Sequence, residues 1–454
     1  MNERISESRL RRILSGLMLA LFLAALDQTI VAVVLPDMAR TLALPDYLPW
    51  VVSAYLLAMT VAVPIAGKLG DLFGRTRLLQ GAILLFMLAS LLCGLARDTG
   101  ELVAARALQG IAAGAMMNCI QSLIGELIAP AERGRYQAWF SGMFAIAGLL
   151  GPLLGAWLGQ WSWRGVFLIN LPLGLLALLL ARRGLQGLGN SQTGKQVDYL
   201  GCLLLTLGLG SVMLLITRIG HGEPWQSTEH ACLLLLGAVG SLAFAFWQTR
   251  ASEPLIPPAL LRISTLRASL TVMLFSSFLA VGLAVLIPLQ AQGSDATPLL
   301  TALAAGVPLG AFAGGRLSAR LKRYKPLILM GCSALPFCLA GVAWAGSSQA
   351  LLLVFLLLTG VALGLQFPTA LVAVQNAAPR AQLGVATACC GLVRGLGGAL
   401  GAALLMSLFV ALSDSQASQA FEHVLLMCAG LAMLPLLIAW RMEDQRLAEQ
   451  VASR

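Results

Sequence analysis

Asp27 stands in the middle of an unbroken apolar run, LMLALFLAALDQTIVAVVLP, with no other charge between residues 13 and 36. A carboxylate in hydrocarbon is costly and marks an ion or proton pathway by default. Burial favours the neutral acid and a nearby cation favours the carboxylate, so its surroundings can tune it to load and release protons. Arg106 lies a few residues inside another apolar run. At 1.5 Å rise per residue, Asp27 is about 14 Å from the outer end of its own helix, so the two groups lie at broadly similar depth. Proton coupling is the expected role of the pair, and a permanent structural ion pair is the alternative. A second buried cation, Arg394, has no acid near it in sequence. It suits either an anionic guest or helix carbonyls.

The segment Gly67-Lys68-Leu69-Gly70-Asp71-Leu72-Phe73-Gly74-Arg75-Thr76-Arg77 joins two apolar runs by a very tight turn. Gly70 and Gly74 permit close approach and unusual backbone angles. Asp71 and Arg75 are one helical turn apart and suited to pair. Glu126 ends a later run near the same membrane face. Together with Gly67 and Arg77 these residues form a charge cluster suited to locking one conformation of a two-state protein. Gly148, Gly151, Pro152 and Gly155 fall mid-run, where small residues allow close packing and a proline permits a bend. Asn118, Gln121, Gln290 and Gln366, with Asp27 and Arg394, are the polar groups available to orient a molecule in an apolar cavity.

Other chemistries find no support. Residues 189–196, GNSQTGKQ, nearly match a phosphate-binding loop, but Gln196 replaces the metal-binding hydroxyl and no strand precedes it. No nucleotide is expected. The three histidines are scattered and the nine cysteines sit in apolar runs without ligand spacing, so no metal or other cofactor is expected and the cysteines read as small hydrophobes.

The elements that carry these residues follow from composition. Hydrophobic residues make up 58% of the 454 and charged ones 11%, with a mean hydropathy of +0.85. Soluble domains carry about 25% charged residues, so lipid is the solvent. Backbone groups there need internal partners, which leaves helices or closed barrels, and continuous Leu/Ala/Gly runs select helices. Fourteen spans are expected, at about residues 13–36, 48–70, 78–96, 101–127, 137–159, 164–182, 198–218, 230–249, 267–290, 298–319, 326–345, 349–374, 385–412 and 420–440. The first reads as a retained span rather than a signal peptide.

Of the 30 Lys and Arg, Arg40, Arg97, Arg164 and Arg218 fall on one side of this map and Arg106 and Arg394 inside spans; the rest share the other side. That side is expected to be cytoplasmic, with both termini on it. The net charge of +10 then reports topology and not nucleic-acid binding. The chain also repeats: Gly67-Lys68-Leu69 recurs as Gly315-Arg316-Leu317, and Leu108, Gly110 and Gly114 as Leu358, Gly360 and Gly364. Two parallel six-helix halves are implied, with a substrate site between them. The expected division is residues 1–186, then 187–262 carrying loops and two extra helices of peripheral, structural role, then 263–454. In the second copy Asp71 is matched by Ala319 and Gly74 by Lys322, so the loop's charge chemistry belongs to the first half.

At these residues the sequence resembles the major facilitator superfamily. GKLGDLFGRTRLL is similar to its signature G-x-L-x-D-x-x-G-R-[KR]-x-x-L, with Thr76 at the usual basic position. RALQGIAAG resembles its fourth-helix motif, whose arginine, here Arg106, the family links to proton transfer. GPLLGAWL resembles the fifth-helix motif of exporters, with Ala156 in place of a glycine. LDQTIVAVVLP and FLINLPLG resemble segments of the fourteen-helix drug:proton antiporters, with Ala32 and Val34 departing from the first. The resemblance covers essentially the whole chain. It implies an all-α polytopic major-facilitator fold, two six-helix bundles plus two central helices. It further implies proton-coupled export, with Asp27 and Arg106 in coupling and Asp71, Arg75 and Glu126 in a conformational latch. The expected partners are protons, a small amphipathic or drug-like substrate and the bilayer of a bacterial plasma (inner) membrane, with the chain monomeric. A dedicated exporter of one metabolite, such as a siderophore, amino acid or self-made antibiotic, is the near alternative, and a non-transporting sensor the distant one.

Overall fold

The structure, a computed structural model, describes residues 7–42, 48–186, 196–220, 227–290, 296–345, 348–416 and 419–448. Among the described residues fourteen helical segments are long and apolar enough to cross a membrane, and the sole β feature is an isolated bridge between Arg323 and Arg446. The first bundle comprises α1 (Glu7–Thr41), α2 (Leu48–Phe73), α3 (Arg75–Leu95), α4 (Thr99–Leu127), α5 (Pro130–Gly159) and a sixth span split into α6 (Gly165–Leu168) and α7 (Asn170–Leu185). Two further spans, α8 (Tyr199–Gly220) and α9 (Thr228–Gln248), and the short α10 (Pro258–Arg262) follow. The second bundle comprises α11 (Ser264–Gln290), α12 (Thr297–Leu321), α13 (Lys325–Trp344), α14 (Gln349–Ala377), α15 (Leu383–Gln416) and a last span split into α16 (Ala420–Leu431) and α17 (Met433–Trp440). Each bundle has its own apolar core. Leu84, Leu88, Leu242, Phe337 and Trp344 face outward, as side chains do when lipid is the solvent.

The repeat is visible in the packing. A Cβ on Gly110 would fall on the Tyr55 carbonyl and one on Gly114 on the Met59 carbonyl, so α4 lies backbone-to-backbone against α2. Gly360 and Gly364 meet the Leu303 and Val307 carbonyls in the same way, joining α14 to α12. Helices in lipid gain little from burying apolar area against one another, so small residues that admit close contact set the crossing.

The two extra helices, expected to be peripheral, differ from each other in what they touch. They pack on each other through Gly208 and Gly240, and α9 exposes Leu234, Leu235 and Leu242. α8, however, lies along the seam between the halves: Leu205, Leu209 and Met213 pack with Val61 of α2 and with Leu392 and Leu396 of α15. Of the nine cysteines, Cys232 on α9 is exposed, Cys202 half-buried and the other seven buried.

Candidate functional site

Asp27 and Arg106 meet in the core of the first bundle. The Arg106 Nη1 donates to Asp27 Oδ2 at 2.5 Å, and the two residues are 1% and 0% exposed. α4 brings the arginine there. Its start is defined by Asp98, whose side chain accepts from the Glu101 amide at 2.8 Å, an N-cap that satisfies an orphan donor. Three residues after Arg106, Gln109 lies on the same face of α4. It accepts from Arg106 Nη1 (2.7 Å) and donates to Asp27 Oδ1 (2.9 Å) and Ser90 Oγ (2.8 Å). Asn170, the first residue of α7, donates to Asp27 Oδ1 at 3.0 Å and Ser90 Oγ at 3.2 Å. Arg106 Nε donates to the Val51 carbonyl (3.0 Å), and the guanidinium lies over the Tyr55 ring at 4.2 Å. One negative and one positive charge are thus enclosed together, which makes burial tolerable because neither is left uncompensated. The spacing of Arg106 and Gln109 was a readable signal for this cage; Asn170 was marked only as part of the FLINLPLG segment, and Ser90 carried no signal, since both reach it from other helices.

The second cluster lies at the face bearing the Arg- and Lys-rich loops and spans both halves. The Asp71 carboxylate accepts from the Gly384 and Val385 amides at 3.0 Å each, at the N-terminus of α15. Those amides have no partner within their own helix, and the helix dipole favours an anion there. Arg75 donates to Asp71 at 2.6 Å and to Glu126 at 2.7 Å, and reaches the Arg380 carbonyl at 3.5 Å. The side chains of Asp71 and Arg75 are 6% and 9% exposed, so water screens them little. Gly67 packs directly on Gly384 and Ala388. Gly70 lies against the Arg75 stem, while Arg77 is exposed at the start of α3. Gly74 is the single residue between α2 and α3, at φ 93°, a conformation glycine adopts without strain.

Sequence reasoning missed other bonds across the same seam. Arg133 Nη1 donates to the Gln375 carbonyl (3.0 Å), and Gln375 Nε2 donates to the Gln121 carbonyl (3.1 Å). Lys68 also pairs, at 2.8 Å, with Glu253 in the segment between α9 and α10, which belongs to neither half. The halves are therefore closed at this face.

In α5, Gly151 and Gly155 pack on Thr29 and Ile30 of α1, and Thr29 Oγ1 donates to the Ala147 carbonyl at 3.0 Å. Pro152 points outward, and nothing lies within 4 Å of a Cβ on Gly148, so those two do not share in this contact. The expected cavity residues separate. Gln366 turns into the second bundle's core, accepting from Ser276 at 2.5 Å and donating to the Ala362 carbonyl, while Asn118 is buried in α4. Neither opens on a cavity, and Asp27 is sealed in its cage. Helix periodicity places a polar residue on a face, but it does not say whether a neighbouring helix covers that face. Gln121 is half-buried, and the Gln290 side chain lies outside the described residues. Arg394 alone of these is exposed, about a third of the way along the long helix α15.

Two helical bundles hydrogen-bonded across a seam, with a charged pair sunk in one of them and fourteen helices long and apolar enough to cross a membrane among the described residues, are the architecture of a polytopic membrane protein. The chain belongs to the major facilitator superfamily, whose family profile, described as Major Facilitator Superfamily, matches residues 17–402 and again 264–453. It is 31% identical over 89% of its length to the multidrug transporter protein MdtP of Bacillus subtilis (strain 168), covering 76% of that protein. To the efflux pump dotC of Dothistroma septosporum it is 33% identical, with 85% of this chain and 68% of that one covered. An uncharacterized MFS-type transporter of Mycobacterium tuberculosis is 32% identical over 92% of this chain, which spans 62% of that relative's length. Among solved structures, the proton:xylose symporter XylE superposes with a TM-score of 0.68 at 15% identity, over 98% of each chain. The human organic anion transporter MFSD10 gives 0.67 at 17% identity, over 94% of this chain and 99% of that one. At such identities the likeness is one of fold.

Proposed function

We propose that this transporter exports small amphipathic, drug-like compounds in exchange for protons, acting as a monomer in a bacterial plasma membrane with its Arg- and Lys-rich face toward the cytoplasm. The observation that carries the proton coupling is the enclosed Asp27–Arg106 pair. A proton arriving on Asp27 leaves Arg106 buried without its counter-charge, and an uncompensated buried charge costs about 3–5 kcal/mol. Repacking α1 against α4 relieves that cost, so protonation favours a different arrangement of the halves. The Asp71 clamp on α15 is the contact such a rearrangement breaks, and it holds the cytoplasmic face shut until then. Export as the direction is supported by relatives named as a multidrug transporter and an efflux pump and by the α5 contact through Gly151 and Gly155.

The test is reconstitution in liposomes with a fluorescent amphipathic dye and an imposed pH gradient. Uptake against the dye gradient is expected only while the pH gradient stands, and nigericin should abolish it. Dye movement indifferent to nigericin would remove proton coupling. A protein that folds in liposomes and moves no compound from a broad panel would remove the exporter reading.

A further inference from the structure

We infer that Arg394 is the recognition point of an organic-anion site between the two halves, taking a carboxylate or sulfonate attached to an aromatic body. The inference rests on the exporter reading and names the substrate class that site prefers.

Arg394 lies eleven residues into α15 from its basic-face end. At 1.5 Å per residue that is about 16 Å, half of a roughly 30 Å hydrocarbon layer. Its guanidinium is flanked by Phe367 of α14 at 5.0 Å and Phe144 of α5 at 5.9 Å, one ring from each half. Thr60 of α2 packs on the next residue, Gly395, and the Arg394 carbonyl accepts from Ser277 of α11 at 2.7 Å. Rings of both halves thus flank the side chain, and helices of both halves pack on its stretch of α15, yet it is exposed. An exposed group flanked by a ring from each half lines the space between the halves and not lipid.

The alternative of carbonyl capping does not describe it. Among the described residues no carbonyl accepts from the guanidinium and no carboxylate pairs with it; Asp27, the other mid-depth charge, is committed to Arg106. Cation–π contact with two phenylalanines is worth about 0.5–2 kcal/mol, short of the cost of holding a bare cation at this depth. Five N–H donors in a planar fork, aimed into space and short of compensation, match a carboxylate or sulfonate bidentately. The two rings offer faces to an aromatic body. Because Phe144 belongs to one half and Phe367 and Arg394 to the other, such a guest bridges the elements that must rock apart.

Three dansyl probes with one fluorophore test this: dansylglycine (anion), dansylglycinamide (neutral) and dansylcadaverine (cation). Equilibrium dialysis of purified protein should give dansylglycine at least about tenfold tighter binding than either of the other two probes. Arg394→Gln should lose most of that margin while changing the neutral probe by less than about threefold, and Arg394→Lys should retain part of it. Equal binding of anion and amide by the wild-type protein overturns the inference without need of any variant, as does an Arg394→Gln protein that weakens both alike. Transport of the amide under a pH gradient, measured in parallel, separates the two readings. Gradient-driven amide movement without anion preference leaves the exporter and removes the anion site; anion preference without gradient-driven movement does the reverse.

Discussion

The Asn170 side-chain amide, at the first turn of α7, donates to the same Asp27 oxygen that Gln109 of α4 holds, at 3.0 and 2.9 Å. The carboxylate of α1 is therefore gripped from two other helices before Arg106 is considered. Ile169, between α6 and α7, keeps helical angles (φ −60°, ψ −25°), so Asn170 reaches across to α1 from a sixth span that runs on through this point.

The cage makes the charge balance of Asp27 and Arg106 measurable. Asp27→Asn should abolish gradient-driven efflux and destabilise the protein by about 3–5 kcal/mol, because Arg106 is left buried and unpaired. Adding Arg106→Gln should recover most of the stability without restoring transport. Thermal unfolding in detergent beside a liposome assay checks both. An Asp27→Asn protein with wild-type-like efflux would take Asp27 out of the coupling role.

The Asp71 clamp predicts a population shift. Asp71→Ala strips the Gly384 and Val385 amides of their acceptor and Arg75 of its nearest counter-charge. Charge-assisted hydrogen bonds contribute about 1.5–3 kcal/mol each, so the basic-face-closed form should lose at least about tenfold in population. Spin labels at Arg77 and Arg320, read by double electron–electron resonance, should show a longer distance. An unchanged distance distribution and turnover would sink the latch.

The glycines of α5 should answer differently although they are three residues apart. Gly151→Ala drives a methyl group into Thr29 and should cost about 1–3 kcal/mol. Gly148→Ala meets nothing within 4 Å and should be neutral or stabilise by up to about 1 kcal/mol through helix propensity. Comparable losses of Tm in the two variants would contradict the packing of α5 on α1.

Lys322 ends α12 at φ 51°, at the place in the second half that Gly74 occupies in the first at φ 93°. Both turns take a positive φ, Lys322 in the left-handed helical region (ψ 33°) and Gly74 outside it (ψ 125°), and only one of the two residues is a glycine. Gly74→Ala should destabilise by about 1–2 kcal/mol, and Lys322→Gly should stabilise by up to about 1 kcal/mol. Unfolding curves that move in the opposite directions would show that the turns are not strained in this way.

The sequence alone determined the solvent, the fourteen spans, the duplication and the charged residues worth attention. Each of those follows from local facts: runs of apolar residues long enough for a bilayer, charges placed between them, motifs repeated along the chain. Only the tertiary structure decided which polar groups share a space. Asp27 and Gln366 look alike as polar interruptions of apolar helices, yet one sits in an ion-pair cage, the other hydrogen-bonds Ser276 in a core, and neither opens on a cavity. Arg394 looked like one more buried cation and faces internal space between two rings. Whether a helical face meets lipid, a neighbouring helix or a cavity depends on residues hundreds of positions away, and no local pattern encodes that.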